Sequence, residues 1–139
     1  MNTIEVLKEE LKKIPGDCVL ATAFMCYSGS LTGKYRKQLI TIWMAAIRKQ
    51  EIPSSFTDNF NVASYLVDPA IIYQWSVQGL PSDNFSAENG VLITQSQKPP
   101  YIIDPQKQAT RWIKRLYEED PNTADRFKIL NVKEANYVQ

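Results

Sequence analysis

The first stretch of the chain places apolar residues among polar ones in the manner of an amphipathic helix. These residues recur at spacings of three, four and three, and they are Ile4, Leu7, Leu11 and Ile14. That spacing is typical of the seam between two helices of a coiled coil. It lasts only about two heptads, so an amphipathic helix lying on a core remains an equal alternative. Pro15 and Gly16 predict that this helix ends, and Asp17 is placed to cap the next one.

The following segment is apolar on nearly every face. Residues 18–27 (CVLATAFMCY) predict a helix that is buried on most sides. A third helix begins near residue 32, and its predicted apolar stripe is Tyr35, Leu39, Ile42, Trp43, Ala46 and Ile47. Its charged face is predicted to be solvated rather than a ligand site, and consists of Lys34, Arg36, Lys37, Arg48 and Lys49.

Shorter elements follow a loop at residues 52–55. We predict helices over residues 60–66 and 69–75, the second capped by Asp68 and begun by Pro69. The GLPSD stretch at residues 79–83 breaks the chain, and we place a module boundary there. Ser86 is then predicted to cap a helix that runs from residue 87 to about residue 95.

The last part of the chain has a different pattern. Tyr101 to Ile103 is a short apolar run of strand type, and Phe127, Ile129 and Val132 begin a second strand. Asp104-Pro105 opens a helix between them, whose stripe is Ala109, Trp112, Ile113, Leu116 and Tyr117. Strand, helix and strand in this order predict a βαβ unit with parallel strands. Such a sheet is buried on both faces, so either this one is unfinished in the chain or a partner completes it. The predicted fold is therefore mainly α with a partial α/β unit.

Composition narrows the function classes. The chain has 139 residues, 44% of them hydrophobic, and 16 basic against 15 acidic residues give a net charge of +1. A protein that binds nucleic acid or an acidic membrane usually carries a basic excess, so neither partner is expected. The longest apolar run, residues 18–27, is too short to span a bilayer, and no secretory signal is evident. A cytoplasmic protein is expected.

Residue types argue against an enzyme. The chain contains no histidine, which removes the commonest general base and metal ligand. Cys18 and Cys26 would lie roughly 12 Å apart on a helix, too far for a disulfide, and we expect both to be buried small hydrophobic residues. We predict no catalytic residue and no metal site.

The turn before the last predicted helix is where a nucleotide-binding α/β fold would hold phosphate. It consists of Asp104, Pro105, Gln106, Lys107 and Gln108, and it contains no glycine. Pro105 lacks an N–H donor, and the Asp104 carboxylate is expected to cap the helix itself and repel an anion. Lys107 could bind phosphate, but neither Ser nor Thr follows it directly. We expect no cofactor, and a small ATP-binding protein that uses Lys107 is the enzyme alternative.

Three stretches together resemble the dynein heavy chains. They are residues 16–37 (GDCVLATAFMCYSGSLTGKYRK), 68–90 (DPAIIYQWSVQGLPSDNFSAENG) and 100–114 (PYIIDPQKQATRWIK). The middle stretch is the most specific, with QW, GLPSD and ENG in order. Their order and spacing also match the family, and the resemblance covers nearly the whole chain.

The resemblance implies a domain assignment and a role. Residues 1–14 would be the end of the stalk's coiled-coil helix, 15–78 the helical region joining stalk and ring, and 79–139 the start of a degenerate fifth AAA+ module, of the P-loop NTPase type. The family commonly has Gly where this chain has Lys107, a change we interpret as surface variation. The implied role is structural, a force relay in microtubule-based movement without catalysis by this segment.

The resemblance also implies partners and a location. The expected partners are the rest of a dynein heavy chain and the antiparallel helix of the stalk, with no direct microtubule contact. The expected location is the cytoplasmic cytoskeleton, with the ciliary axoneme preferred. A stand-alone interaction protein derived from dynein remains the alternative.

Overall fold

The computed structural model describes residues 3–57, 60–120, 122–125 and 127–130. The described residues form α1 (Thr3–Tyr27), α2 (Gly33–Lys49), α3 (Val62–Leu66), α4 (Pro69–Val77), α5 (Asn84–Gln95) and α6 (Gln108–Glu118). Within these ranges no residue is in a β-strand. The described part of the chain is mainly α, as expected.

Helix α1 runs without interruption through Pro15, so the predicted break at Pro15 and Gly16 is wrong. A loop from further along the chain packs against this point. A Cβ atom on Gly16 would overlap the carbonyl oxygen of Pro53, so only glycine allows this close approach. Asp17 caps no helix start; its carboxylate accepts hydrogen bonds from the Ser55 N–H at 2.7 Å and hydroxyl at 2.6 Å. These tertiary contacts outweigh the local helix-breaking tendency of proline.

The two halves of α1 differ in burial. None of residues 3–14 is buried, whereas Leu20, Ala21 and Phe24 are buried in the second half. The prediction that residues 18–27 are buried on most sides is wrong, because α2 and α3 cover only one face of the helix. Cys18 and Cys26 lie on the uncovered side, so both thiols are exposed and not buried as expected.

The buried face of α2 overlaps the predicted one only in part: Ile47 is buried and Leu39 and Trp43 are half-buried, as expected. Its buried residues are Arg36, Ile40, Met44 and Ile47. Tyr35 and Ile42, which were assigned to the apolar stripe, are 55% and 60% exposed. The buried stripe includes the charged residue Arg36, so apolar spacing alone predicts a face that is rotated away from the observed one. The expectation that Arg36 is solvated is wrong.

Two clusters of buried side chains form the core. The first joins α1, α2 and the loop after it, and comprises Leu20, Phe24, Ile40, Met44, Ile47, Phe56 and Val62. The second joins α3 to α6, and comprises Ala63, Val67, Trp75, Leu80, Ala87, Val91 and Trp112. The short helix α3 contributes to both clusters and so connects the two halves of the fold.

For α4 and α6 the structure agrees with the predictions from the sequence, and for α5 it differs at the start of the helix. The Asp68 carboxylate accepts the Ala70 N–H at 2.8 Å at the start of α4. Helix α5 begins earlier than predicted, because Asp83 and not Ser86 is its cap; the Asp83 carboxylate accepts the Ser86 N–H at 3.0 Å. The predicted stripe of α6 is buried or half-buried throughout.

The predicted βαβ unit is not formed in the described residues. Tyr101 to Ile103 and residues 127–130 are irregular, and Val132 lies outside the described part of the chain. A strand requires a neighbouring strand for its backbone hydrogen bonds, and the described ranges supply none. Within the described part of the unit, the central helix, α6, is the one regular element.

Candidate functional site

The turn before α6 is organised by the Asp104 carboxylate. Its Oδ1 accepts the Gln108 N–H at 2.9 Å, and its Oδ2 accepts the Thr110 N–H at 2.7 Å and hydroxyl at 2.8 Å. The first N–H groups of a helix lack partners within the helix and are the groups that bind phosphate in nucleotide sites. Here the protein's own carboxylate occupies two of them.

The pKa of Asp104 reflects these contacts. Desolvation raises the pKa of the carboxyl group, but hydrogen bonds from Thr110, Gln108 and Ala109 favour the ionised form more strongly. The pKa is therefore held below its ordinary value, and the carboxylate is negatively charged at neutral pH. A second anion at this position would meet that charge.

Lys107 precedes the first residue of α6 and has a left-handed backbone, with φ 57° and ψ 27°. This conformation favours glycine over residues that carry a Cβ atom. The Lys107 carbonyl accepts hydrogen bonds from the Arg111 N–H at 3.2 Å and from its Nε at 3.0 Å. The backbone at Lys107 is thus committed to the start of α6.

A cleft of about 620 Å³ opens beside this turn. It lies between the end of α1, one side of α5 and the segment from Pro100 to Asp104. Its lining includes Met25, Phe85, Asn89, Ile102 and Asp104. Apart from Asp104 at one end and Arg36 on its inner wall, this lining carries no charged side chain among the residues that the structure describes.

The second polar centre surrounds Arg36, which is 1% exposed. Its Nη1 donates to the Glu88 carboxylate at 3.2 Å and its Nη2 to the Asn89 side-chain oxygen at 2.7 Å. Its Nε donates to the Ser28 carbonyl at 3.0 Å, and Nη2 also reaches the Gly29 carbonyl at 3.4 Å. The guanidinium is therefore bound on several sides.

The Arg36 guanidinium is paired with a buried carboxylate and covered by an aromatic ring. Glu88, which is 4% exposed, also accepts a hydrogen bond from the Asn84 side chain at 2.8 Å. The Phe85 ring faces the Arg36 guanidinium at 4.4 Å. Burial lowers the pKa of Arg36, whereas the hydrogen bond and charge of Glu88 raise it; an arginine stays protonated in any case. A buried charge that is paired and hydrogen-bonded in this way fixes the positions of its neighbours.

Sequence patterns alone did not identify this centre. A buried arginine breaks the apolar stripe of α2 and looks like part of a solvated face. One signal was available, because Glu88 and Asn89 belong to the ENG stretch that carried part of the resemblance. The packing of α2 against α5 was needed to bring that stretch to Arg36.

The apolar seam of α1 is exposed over its whole length. Ile4, Leu7, Leu11 and Ile14 are 59%, 58%, 62% and 45% exposed. Elsewhere on α1, Lys12 pairs with Glu9 at 2.6 Å and Lys13 with Glu10 at 2.9 Å. A row of exposed apolar side chains at coiled-coil spacing is a surface on which another helix can pack.

Two kinds of feature are absent from the described ranges. They contain no group of three or more Cys, Asp and Glu side chains that could hold a metal ion. None of the helices seen there combines the length and the apolar character needed to cross a membrane.

Comparison with known proteins gave consistent matches. The family model described as the ATP-binding dynein motor region matches residues 73–139. The dynein-1-beta heavy chain of the flagellar inner arm I1 complex of Chlamydomonas reinhardtii is 41% identical over 121 residues, which are 86% of this chain and 2% of that protein. Human dynein axonemal heavy chain 2 is 35% identical over 138 residues, 99% of this chain and 3% of that protein. Human dynein axonemal heavy chain 6 is 36% identical over 137 residues, again 99% and 3%.

The chain thus spans only 2% to 3% of the length of these relatives. The matches with the two human proteins extend over 99% of the chain, so they include both the α1 seam and the turn at Asp104. The family model begins within α4 and covers α5 and α6.

Proposed function

Since this chain belongs to the dynein heavy chain family, we propose that it is a non-catalytic segment of a microtubule motor that relays force between the motor's stalk and its ring of AAA+ modules. The observation that carries the proposal is the build of α1. One uninterrupted helix presents an exposed apolar seam in its first half and packs into the core with its second half. A displacement of the seam is therefore transmitted to the core along one continuous helix.

The proposal divides the chain into three parts. Residues 1–14 end the stalk's coiled-coil helix, 15–78 connect the stalk to the ring, and 79–139 begin a degenerate AAA+ module. The continuity of α1 across Pro15 supports a stiff junction between the first two parts. The hydrogen bonds from Ser55 to Asp17 support it further, because they hold the loop after α2 against the same point.

The proposed partners follow from two exposed apolar surfaces. The seam of α1 suits the antiparallel helix of the stalk. Tyr101 and Ile103 are 93% and 82% exposed, which suits a strand whose sheet is completed by the rest of a heavy chain. In this proposal the βαβ unit forms within that larger sheet, and the segment contacts neither nucleic acid, membrane nor microtubule directly.

The proposed lack of catalysis is supported by the turn before α6. Asp104 uses the N–H groups of Gln108 and Thr110, and Pro105 has none to offer. We therefore assign residues 104–108 as a degenerate phosphate loop that holds no nucleotide cofactor. In the whole motor, ATP hydrolysis would take place in other modules.

The proposed location is the cytoskeleton of a cilium or flagellum. The relatives named above are axonemal or flagellar proteins, and a further relative is the ciliary dynein beta chain of Tripneustes gratilla, 40% identical over 114 residues. We propose microtubule-based movement in an axoneme as the process that this chain serves.

Seam variants in a dynein heavy chain that carries this sequence test the relay function. Leu7→Gln together with Leu11→Gln removes apolar contacts without changing charge, and glutamine keeps good helix propensity. We expect basal ATP hydrolysis to persist while its stimulation by microtubules is lost. Steady-state ATPase assays with and without microtubules measure both quantities.

The matched control is Glu9→Gln together with Lys12→Gln, an exposed pair on the side of α1 away from the seam. It introduces the same two residues on the same helix, also without net charge change, at exposed positions off the seam. We expect normal microtubule stimulation from this control. Normal stimulation in the Leu7 and Leu11 variant would refute the proposed relay.

A further inference from the structure

The guanidinium of Arg36 joins three helices through one side chain. Arg36 lies on α2, and it donates to the carbonyls of Ser28 and Gly29, the first two residues after α1. The same group donates to Glu88 and Asn89 on α5. The end of α1 and the first turns of α5 are thus held by a common hydrogen-bond donor.

The position of the charge suits the end of α1. The last carbonyls of a helix lack partners within the helix and carry partial negative charge, which a nearby cation stabilises. Ser28 continues the last turn, because its N–H donates to the Phe24 carbonyl at 3.0 Å. The Ser28 carbonyl that Arg36 contacts therefore moves with α1.

Only arginine can make this set of contacts. Its donors lie in one plane with fixed geometry, whereas a lysine ammonium is a compact group on a flexible chain. The face of the plane is covered by the Phe85 ring at 4.4 Å. Loss of the arginine would leave Glu88 buried without its cation, so the arrangement resists partial opening.

Apolar packing also links α1 to α5, because Met25 of α1 packs against the second cluster and Leu92 of α5 packs against the first. Helix α1 packs against α2 and α3, and α5 packs against α3. This apolar packing, together with the five-residue helix α3, is therefore the alternative route by which movement of α1 could reach α5. Variants that remove the hydrogen bonds of Arg36 and leave this packing intact separate the two routes.

We propose that Arg36 is the coupling residue through which a displacement of α1 reaches α5. When the end of α1 moves, the carbonyls of Ser28 and Gly29 displace the guanidinium that is bound to them. The guanidinium in turn displaces Glu88 and Asn89 on α5. This inference rests on the proposed relay function, since that function supplies the displacement. It identifies where α1 is connected to α5.

Distances between spin labels test the connection in the chain itself. One label is placed on Cys26, which is exposed near the end of α1, and the other on Gln95→Cys, which is exposed at the end of α5, in a Cys18→Ser background. With Arg36 present, we expect pulsed electron paramagnetic resonance to give one narrow distribution of distances between the two labels. In Arg36→Met/Glu88→Leu, where neither charge is left alone, a second population should appear. Loss of charge-assisted hydrogen bonds raises the open fraction by roughly tenfold.

Two controls address charge and helix integrity. Lys37→Met removes the exposed cation that is next to Arg36 on α2, and Glu88→Gln keeps an acceptor for the guanidinium; both should retain the narrow distribution. Should the double variant fail to fold, Arg36→Lys decides, because it keeps the charge but loses the planar donors. It should show the second population.

A narrow distribution in the folded Arg36→Met/Glu88→Leu chain, or in Arg36→Lys where that variant decides, would overturn the inference and indicate coupling through the apolar packing around Met25, Leu92 and α3. This outcome is independent of the relay function, which is judged by the Leu7 and Leu11 variant in the heavy chain. In that heavy chain, Arg36→Met/Glu88→Leu should also lose microtubule stimulation.

Discussion

The carboxylate of Asp104 receives both polar groups of Thr110 on a single oxygen, the N–H at 2.7 Å and the hydroxyl at 2.8 Å. The other oxygen receives the Gln108 N–H at 2.9 Å. One side chain thus closes the start of α6 and places a negative charge there. The hydrogen bonds to Asp104 stabilise the turn, and its negative charge disfavours the binding of a second anion there.

Removal of the Asp104 cap should destabilise the chain. Asp104→Ala leaves the first N–H groups of α6 without their carboxylate acceptor, and loss of such a cap costs about 1 kcal/mol. Urea unfolding at pH 7, followed by circular dichroism, measures the free energy of unfolding. A value equal to that of the unaltered chain would show that the hydrogen bonds contribute nothing.

The same cap makes stability depend on pH. Because the pKa of Asp104 is lower in the folded chain than its ordinary value, its contribution is present above about pH 4 and disappears as the pH falls through the lower folded pKa. Asp104→Asn keeps an acceptor oxygen but does not titrate. The difference in unfolding free energy between the two chains should therefore shrink as the pH is lowered from 5 to 2. A constant difference would contradict the assignment of the lowered pKa to Asp104.

Lys107 adopts a backbone conformation that glycine adopts without strain. Lys107→Gly relieves a strain of about 1 kcal/mol but also makes the unfolded chain more flexible, so the net gain should lie between zero and about 1 kcal/mol. Lys114→Gly, in the exposed interior of α6, should instead lose about 1 kcal/mol. Urea unfolding of both variants separates the two cases. An equal loss in both would mean that Lys107 is not left-handed.

Gly90 lies against the ring of Trp75 with no room for a methyl group. A Cβ atom at residue 90 would meet ring carbons of Trp75 at 2.8 and 2.9 Å, and Trp112 packs edge-on against that ring at 5.6 Å. Gly90→Ala should therefore cost about 1–3 kcal/mol, of which the better helix propensity of alanine offsets less than about 1 kcal/mol.

The control for Gly90 is Gly29→Ala, since a Cβ atom there would meet no heavy atom within 4 Å. Its free energy of unfolding should change by less than about 0.5 kcal/mol. Thermal unfolding of the two variants gives the comparison. Equal melting temperatures would show that the contact between residue 90 and Trp75 is loose.

Local signals predicted the later helices well. Asp68 before Pro69 marks the start of α4, and the spacing of Trp112 and its neighbours gives the buried face of α6. Asp104 as an acceptor at the start of α6 was also predictable, because a carboxylate before a helix has few other local partners. The two carboxylates bind N–H groups no more than six residues away, and the buried face of α6 repeats at regular helical spacing, so both signals are local in the sequence.

Long-range contacts explain what the sequence did not predict. Pro15 lies inside α1 because residues 53–55 pack against the next turn, and those contacts are nearly forty positions away along the chain. Arg36 is buried because Glu88 and Asn89 meet it from α5. A pattern of apolar residues counts a charged side chain as exposed and has no means of finding its distant partner.

We propose that this chain transmits force and performs no nucleotide chemistry, since Asp104 occupies the turn where phosphate would bind. Calorimetric titration of MgATP into the chain at pH 7 tests it most directly. We expect no saturable heat of binding, with or without Lys107→Ala. Binding with a Kd below about 100 μM that Lys107→Ala abolishes would refute this proposal.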